Sequence, residues 1–227
     1  MMRRIALLSV CLFALLMPMT TWAFPTNAVL DTFDRANEGP PPTGWAGPIW
    51  NGDHQLKIIS NLLQQDTLPG GDIYWNSSFS ADQEVYAIIN NLPLANSGVS
   101  FYLRVASPHT GSETFIEIAY TALAGTDTID VLINQAETNK LTINQEVSAG
   151  DSIGASVVGN LITVYYKAAA GSWGSIGSVS DGTVTGAGFI GIGFGGSAGG
   201  VTANDFGGGS LSAAGPDVTP FYKRRVQ

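Results

Sequence analysis

Short runs of β-branched and aromatic residues recur along the chain, each bounded by glycine, proline, asparagine or serine. The clearest are residues 84–89 (EVYAII), 99–105 (VSFYLRV) and 114–120 (TFIEIAY). Such side chains suit a pleated, half-buried surface, so each run predicts a strand. The same pattern marks residues 29–33, 56–59, 73–75, 128–133, 141–145, 152–158, 161–166, 175–179, 189–194 and 201–211. Past the N-terminal apolar run, no window of helical length keeps a 3.6-residue period. About a dozen short strands, with turns roughly every ten residues, predict an all-β chain folded as a two-sheet antiparallel jelly-roll sandwich.

Punctuation between the runs refines this picture. Gly159-Asn160 separates two strand runs by two residues that accept positive φ at low cost, which predicts a hairpin and antiparallel neighbours. Residues 188–211, GFIGIGFGGSAGGVTANDFGGGSL, read as a glycine-rich strand pair turning at 195–200. An unpaired terminal strand leaves open backbone donors and acceptors, so the run at 29–33 is expected to pair with this closing segment. Residues 37–44 carry three prolines and form a rigid loop, and Trp45 and Trp50 flank Gly47-Pro48 as apolar anchors in a loop.

Composition bounds the class. The 227 residues are 44% hydrophobic, enough for one domain with a substantial core. Met1-Met2-Arg3-Arg4, an apolar run to Met17 and a small residue at Ala23 form a secretory signal. That run is shorter than the ~20 residues a membrane span requires and is interrupted at Pro18. The expected organisation is a signal at 1–23, a sandwich domain at 24–213 and a disordered tail at 214–227, in an exported protein without membrane contact after processing. Cys11, the single cysteine, leaves with the signal, so the exported domain has no disulfide and no thiolate. A formal charge of −8 has the wrong sign for nucleic acid.

The ordered segments LDTFDRAN, the Trp-bearing loop, DIYWN, EVYAIIN, GVSFYLRV, GNLITVYYKAAAGSW and GFIGIGF…NDFGGGSL resemble the concanavalin A-like lectin and glucanase superfamily, in particular its laminin-G-like jelly-roll domains. The resemblance spans residues 29–211 and lies in the order of strands and the paired ends. It implies two curved antiparallel sheets and a function among glycan binding, protein adhesion and glycan hydrolysis; fold alone does not choose between them.

Site chemistry narrows the choice. Glucanases of this superfamily resemble one another in a Glu-x-Asp-x-Glu strand; here the segment is Glu113-Thr114-Phe115-Ile116-Glu117, with Phe115 at the centre. Residues four apart on a strand have Cα atoms ~13 Å apart, whereas paired glycosidase carboxylates stand ~5–9.5 Å apart. The expectation is therefore two solvent-facing acids and no catalysis. His54 and His109 sit in polar loops far apart in sequence, and no Gly-x-Ser-x-Gly elbow is present. Asp31, Asp34, Asn204 and Asp205 come together if the ends pair; they offer oxygen ligands to a structural calcium, as in similar lectin-like jelly rolls, or serve turns with no ion. Trp45, Trp50, Trp75 and Trp173 are candidate sugar platforms, because a pyranose docks its C–H face on an aromatic plane. The aromatic and basic tail, Phe221 to Arg225, is a candidate docking segment for a protein partner.

The sequence thus points to an exported, non-catalytic carbohydrate-binding or surface-recognition module whose partner is a glycan or surface polysaccharide. A structural or adhesive surface protein is the first alternative, and a glucanase-like hydrolase the second. The exported protein is expected to begin at Phe24, and an intact mass measured on secreted material checks this; a mass that retains residues 1–23 counts against a cleaved signal.

Overall fold

A computed structural model describes residues 23–92, 96–133, 138–196 and 200–212. Among these residues there is no helix, and fifteen strands follow one another. They are β1 (Val29–Asp31), β2 (Trp45–Ala46), β3 (Leu56–Ile59), β4 (Leu62–Gln65), β5 (Gly71–Trp75), β6 (Gln83–Asn91), β7 (Gly98–Ala106), β8 (Thr114–Thr121), β9 (Thr128–Ile133), β10 (Thr138–Asn144), β11 (Ser152–Val158), β12 (Leu161–Lys167), β13 (Gly174–Ser180), β14 (Phe189–Gly195) and β15 (Thr202–Ser210). An eight-stranded sheet has the order β13-β12-β11-β6-β15-β4-β3, with β1 also paired to β15. A seven-stranded sheet has the order β10-β9-β8-β7-β14-β5-β2. Every pairing is antiparallel, which makes the expected jelly-roll sandwich.

Period-two alternation sorts each strand between core and surface. On β7, Val99, Phe101 and Leu103 are fully buried between the sheets, while Ser100 and Tyr102 point to the outer face. The same holds for Ile116, Ile118 and Tyr120 on β8 and for Ile190 and Ile192 on β14. Phe33 and Phe206 join this core from the paired ends of the chain, where Val29 faces Gly207 and Asp31 faces Phe206. The hairpin across Gly159-Asn160 is present, with Val158 opposite Leu161 and Gly159 at φ 57.

Two expectations are corrected. Residues 188–211 are not a strand pair: β14 lies between β7 and β5, whereas β15 lies in the other sheet beside β6 and β4. The chain crosses the sandwich here, because both strands carry an apolar inner face, and a crossover sets those faces against each other. Gly208 permits the approach, since a Cβ there would meet the Ile190 side chain of the opposite sheet at 2.9 Å. Trp45 is not a loop anchor but part of β2, 5% exposed, packed on Phe33, Phe206 and Trp75 with ring centroids 5.8, 4.8 and 5.5 Å away. The β3–β4 hairpin also went unread; Ser60 and Asn61 turn it at φ 54 and 64.

Removal of the Phe206 ring empties the place where β15 meets Trp45. Phe206→Ala is expected to lower the free energy of urea unfolding by about 3–5 kcal/mol. Val158→Ala, on an exposed surface, is expected to change it by less than about 0.5 kcal/mol. Equal midpoints for the two variants would contradict the buried position of the closing strand.

Candidate functional site

The outer face of the seven-stranded sheet carries a cleft of about 580 Å³. Asp72 on β5 faces Gly193 on β14, which faces Ser100 on β7; on β7 and β8, Tyr102 faces Glu117. Ile73, Phe101, Ile118 and Ile192 point into the core, so these polar residues share the outer face by alternation. Gly193 leaves space for the row to close up: a Cβ there would lie 3.1 Å from the Asp72 Cβ and 3.1 Å from the Tyr102 ring. Tyr102 therefore leans across Gly193 towards Asp72, with Glu117 opposite it on the next strand.

The rim is a loop held by carboxylates. Asp72 accepts hydrogen bonds from the backbone N–H of Ile49 and, at 3.5 Å, of Trp50. Glu113 accepts from the N–H of Asn51 at 3.0 Å and from those of Thr110 and Gly111 at 2.9 Å, which joins two loops above the cleft. Trp50 then rests edge-on against Phe115 at 4.9 Å, and Phe115 against Tyr102 at 5.3 Å. The result is an open cleft with Trp50 and Tyr102 as its aromatic surfaces and Asp53, Asp72 and Glu117 as its acids.

The pair compared with the glucanase strand is not two solvent-facing acids. Glu113 is 2% exposed and Glu117 7%; the first precedes β8 and ties loops, and only the second lines the cleft. Two other acids share the cleft with Glu117, Asp53 in the rim loop and Asp72 on the strand floor, and neither stood among the candidates from sequence. The signal for Asp72 was a single acid at the head of the apolar run Ile73-Tyr74-Trp75, where alternation sends it outward.

Burial pushes the Asp72 carboxyl up to about 8; the Ile49 amide bond opposes this, and the charges of Asp53 and Glu117 add to it. Burial likewise raises the Tyr102 phenol, with Glu117 and Asp72 contributing. For Glu113, burial acts upward but the amides of Gly111, Thr110 and Asn51 outweigh it and lower the value. The cleft thus presents a protonated carboxyl, a phenol and a further acid side by side at neutral pH. Such a set both donates to and accepts from hydroxyl groups.

The four candidate tryptophans are not brought together. Trp50 alone lines this cleft; Trp75 packs edge-on against Trp45 near the core, and Trp173 lies on the outer face of the other sheet against Phe24. His54 and His109 are exposed loop residues that bond through their backbone: the His54 carbonyl accepts from the Asp72 N–H, the His54 N–H donates to the Asp53 carboxylate at 2.8 Å, and the His109 N–H donates to the Ile49 carbonyl.

The four candidate calcium ligands are not assembled into a shell either. Asp31 is buried and bonded to the Arg35 guanidinium at 2.5 and 3.0 Å, to the Trp45 indole N–H at 2.8 Å and to the Phe33 N–H at 2.8 Å. A cation from the chain itself stands where the ion was expected. Asp34 is exposed, and the Asn204 side chain accepts from the Asp205 N–H. Among the described residues no group of three His, Cys, Asp or Glu side chains is placed to hold a metal, and with the Asp31 oxygens taken by Arg35, Phe33 and Trp45 the four residues do not form a calcium shell. The aromatic and basic tail lies outside the described residues.

Asp72 keeps its proton in the folded state over a pH range in which an unfolded aspartate, at ~3.9, has lost it. Its contribution to stability is therefore complete below about pH 4 and lost as the pH rises towards about 8. Glu38, Asp66 and Asp181, lowered instead, lose stability only at more acid pH. The melting temperature is expected to fall between about pH 5 and pH 8, and to fall less in Asp72→Asn. Parallel melting curves for the two proteins would mean that Asp72 is ionised in the fold.

No known protein family matches the sequence, and no curated protein does. Solved structures match the fold. The carbohydrate binding module CBM66 from Bacillus subtilis is 12% identical, with a TM-score of 0.52 over 72% of this chain and 92% of its own. The VIP36 exoplasmic/lumenal domain in its Ca2+/Man2-bound form is 14% identical, with a TM-score of 0.57 over 84% and 90%. A prokaryotic beta-1,3-1,4-glucanase (lichenase) derived from a mouse hindgut metagenome is 12% identical, with a TM-score of 0.55 over 78% and 96%. At these identities the likeness is one of fold, a two-sheet antiparallel jelly-roll sandwich.

Proposed function

We propose that this chain is an exported carbohydrate-binding module whose glycan site is the cleft on the seven-stranded sheet. The observation that carries the reading is the cleft itself: Trp50 and Tyr102 beside Asp72 and Glu117 on a floor opened by Gly193. A sugar offers apolar C–H faces to the rings and a rim of hydroxyls to the carboxyls, and a largely preformed concave site holds both. The similar folds of CBM66 and of the mannose-bound VIP36 domain support the ligand class. Trp50 supplies the stacking surface, Glu117 accepts from sugar hydroxyls, and protonated Asp72 both braces the Trp50 loop and donates.

One observation favours a second reading, a glucanase-like hydrolase. Asp72 and Glu117 share a cleft, and burial holds Asp72 protonated, the split in protonation that an acid and a base or nucleophile require. The lichenase fold is similar.

Binding of the secreted protein to arrayed mixed-linkage β-glucan, mannan and xylan oligosaccharides tests the first reading. Trp50→Ala is expected to weaken capture of the bound sugar at least tenfold, in a protein whose melting curve shows it folded at the assay temperature. Capture unchanged by Trp50→Ala would remove the cleft as the site. Release of reducing ends from the same sugars, abolished by Glu117→Gln, would establish the hydrolase in place of the module.

A further inference from the structure

A larger cavity, about 850 Å³, lies on the opposite side of the molecule, on the outer face of the eight-stranded sheet. Its floor is the outward rows of β11 and β12, because Ala155, Val157, Ile162 and Val164 are taken by the core. Ser156 faces Thr163 in mid-groove, and Val158 faces Leu161 at one end. The last two are 44% and 47% exposed, unusual for apolar strand residues with a groove above them. Tyr165 continues the β12 row towards Lys167.

One wall is aromatic and is fixed by the N-terminal arm. The Phe24 ring lies parallel to Tyr165, centroids 3.9 Å apart at 2°, and Trp173 meets it edge-on at 4.9 Å. Gly154 makes the seat: a Cβ there would come within 2.6 Å of the Phe24 ring. Behind it, Glu84 accepts from the N–H groups of Thr26 and Asn27 at 2.7 and 2.5 Å and from the Asn27 side chain at 2.9 Å. The arm is thereby bound to the sheet, and the groove stays open beside it.

We propose that this groove is a second glycan site, so that the domain holds sugar chains on both of its outer faces. The proposal rests on the reading of the chain as a carbohydrate-binding module, but not on the cleft of the other sheet. The lining has the chemistry of a polyol with apolar faces: Ser156, Thr163 and Ser175 offer hydroxyls, and Phe24, Tyr165 and Trp173 offer ring surface. The apolar surface of the groove is the ring surface of Phe24, Tyr165 and Trp173 with Val158 and Leu161 at one end, broken by the hydroxyls of Ser156, Thr163 and Ser175, and this mixture suits a sugar better than the continuous apolar patch a protein partner buries. Charge agrees as well. Glu84 is bonded to the arm, which leaves Lys167 and, in a chain that begins at Phe24, its α-amino group as the cations of the groove, so the net charge of −8 does not repel a neutral or acidic sugar here. With one site on each sheet, a single copy bridges two chains of a polysaccharide.

Calorimetric titration of the secreted protein with soluble mixed-linkage β-glucan, mannan and xylan hexasaccharides tests this, using Trp50→Ala to remove the cleft and Trp173→Ala or Thr163→Arg to remove the groove. Thr163→Arg fills the groove from the solvent side, and an unchanged melting temperature shows that the fold is intact. The expected result is that Trp50→Ala halves the stoichiometry for the bound sugar and that adding either groove substitution abolishes the remainder. Binding that survives Trp50→Ala in full but is lost with the groove substitutions sustains the groove and removes the cleft. Binding lost entirely with Trp50→Ala overturns the groove and leaves the cleft standing. A parent protein that binds none of the three sugars overturns both.

Discussion

The buried carboxylate of Asp31 is the point on which the ends of this fold depend. A carboxylate removed from water requires charge and hydrogen-bond partners, and Asp31 obtains both, from Arg35 and Phe33 close by in the chain and from the Trp45 indole on β2. Arg35 in turn bonds Glu38, and Glu38 accepts from Thr43, whose bonds together with the guanidinium hold its carboxyl down at about 2. This chain of contacts leads from β1 through the proline-rich loop to β2. It sets Trp45 beneath Phe33 and against Phe206, so the first and last strands close over one aromatic cluster. Of the acids at the chain ends, Asp31 and Glu38 are thus paired with one guanidinium, that of Arg35.

Both outer faces are built by the same device, an aromatic ring laid over a glycine. On the seven-stranded sheet Tyr102 covers Gly193 and draws Asp72 and Glu117 into one cleft. On the eight-stranded sheet Phe24 covers Gly154 beside Tyr165. A side chain at Gly154 would displace the Phe24 ring, and one at Gly193 would press the Tyr102 ring outward by a few tenths of an ångström. The high glycine content therefore does more than serve turns; it brings bulky rings close to the strands and leaves grooves with ring surface on one side and polar side chains on the other.

The carboxylates divide their labour by burial. Glu113 and Glu84 accept from several backbone amides and brace segments that carry aromatic residues, Trp50 in one case and Phe24 in the other. Asp72 is bonded to the Trp50 loop as well, yet it is buried deeply enough that desolvation outweighs those bonds. Arg104 is the cationic counterpart. Its side chain is 2% exposed, its guanidinium donates to the carbonyls of Ala81, Val184 and Gly159, and it pins the β11–β12 turn to neighbouring loops.

Period-two alternation, turn residues and the apolar runs were sufficient to read most strands, because strand character depends on neighbours one or two residues away; the two-sheet architecture followed from the number of strands, and the pairing of the chain ends from the cost of an unpaired terminal strand. The strands missed were β2 and β4, short segments whose pairing comes from partners elsewhere in the sequence. Alternation says that Phe189 to Phe194 and Val201 to Leu211 are strands; it does not say which sheet takes each, and the crossover was decided by inner faces meeting across the core. The same limit governs the sites. Glu113 and Glu117 are four residues apart and do different work, whereas Asp72 and Glu117 are far apart in sequence and share a cleft. Residue types and spacing determined that aromatic and acidic groups were present on outer strand faces. Only the folding of β5, β14, β7 and β8 side by side decided which of them stand together, because strand order is set by long-range burial and hydrogen-bond pairing that no local window of sequence contains.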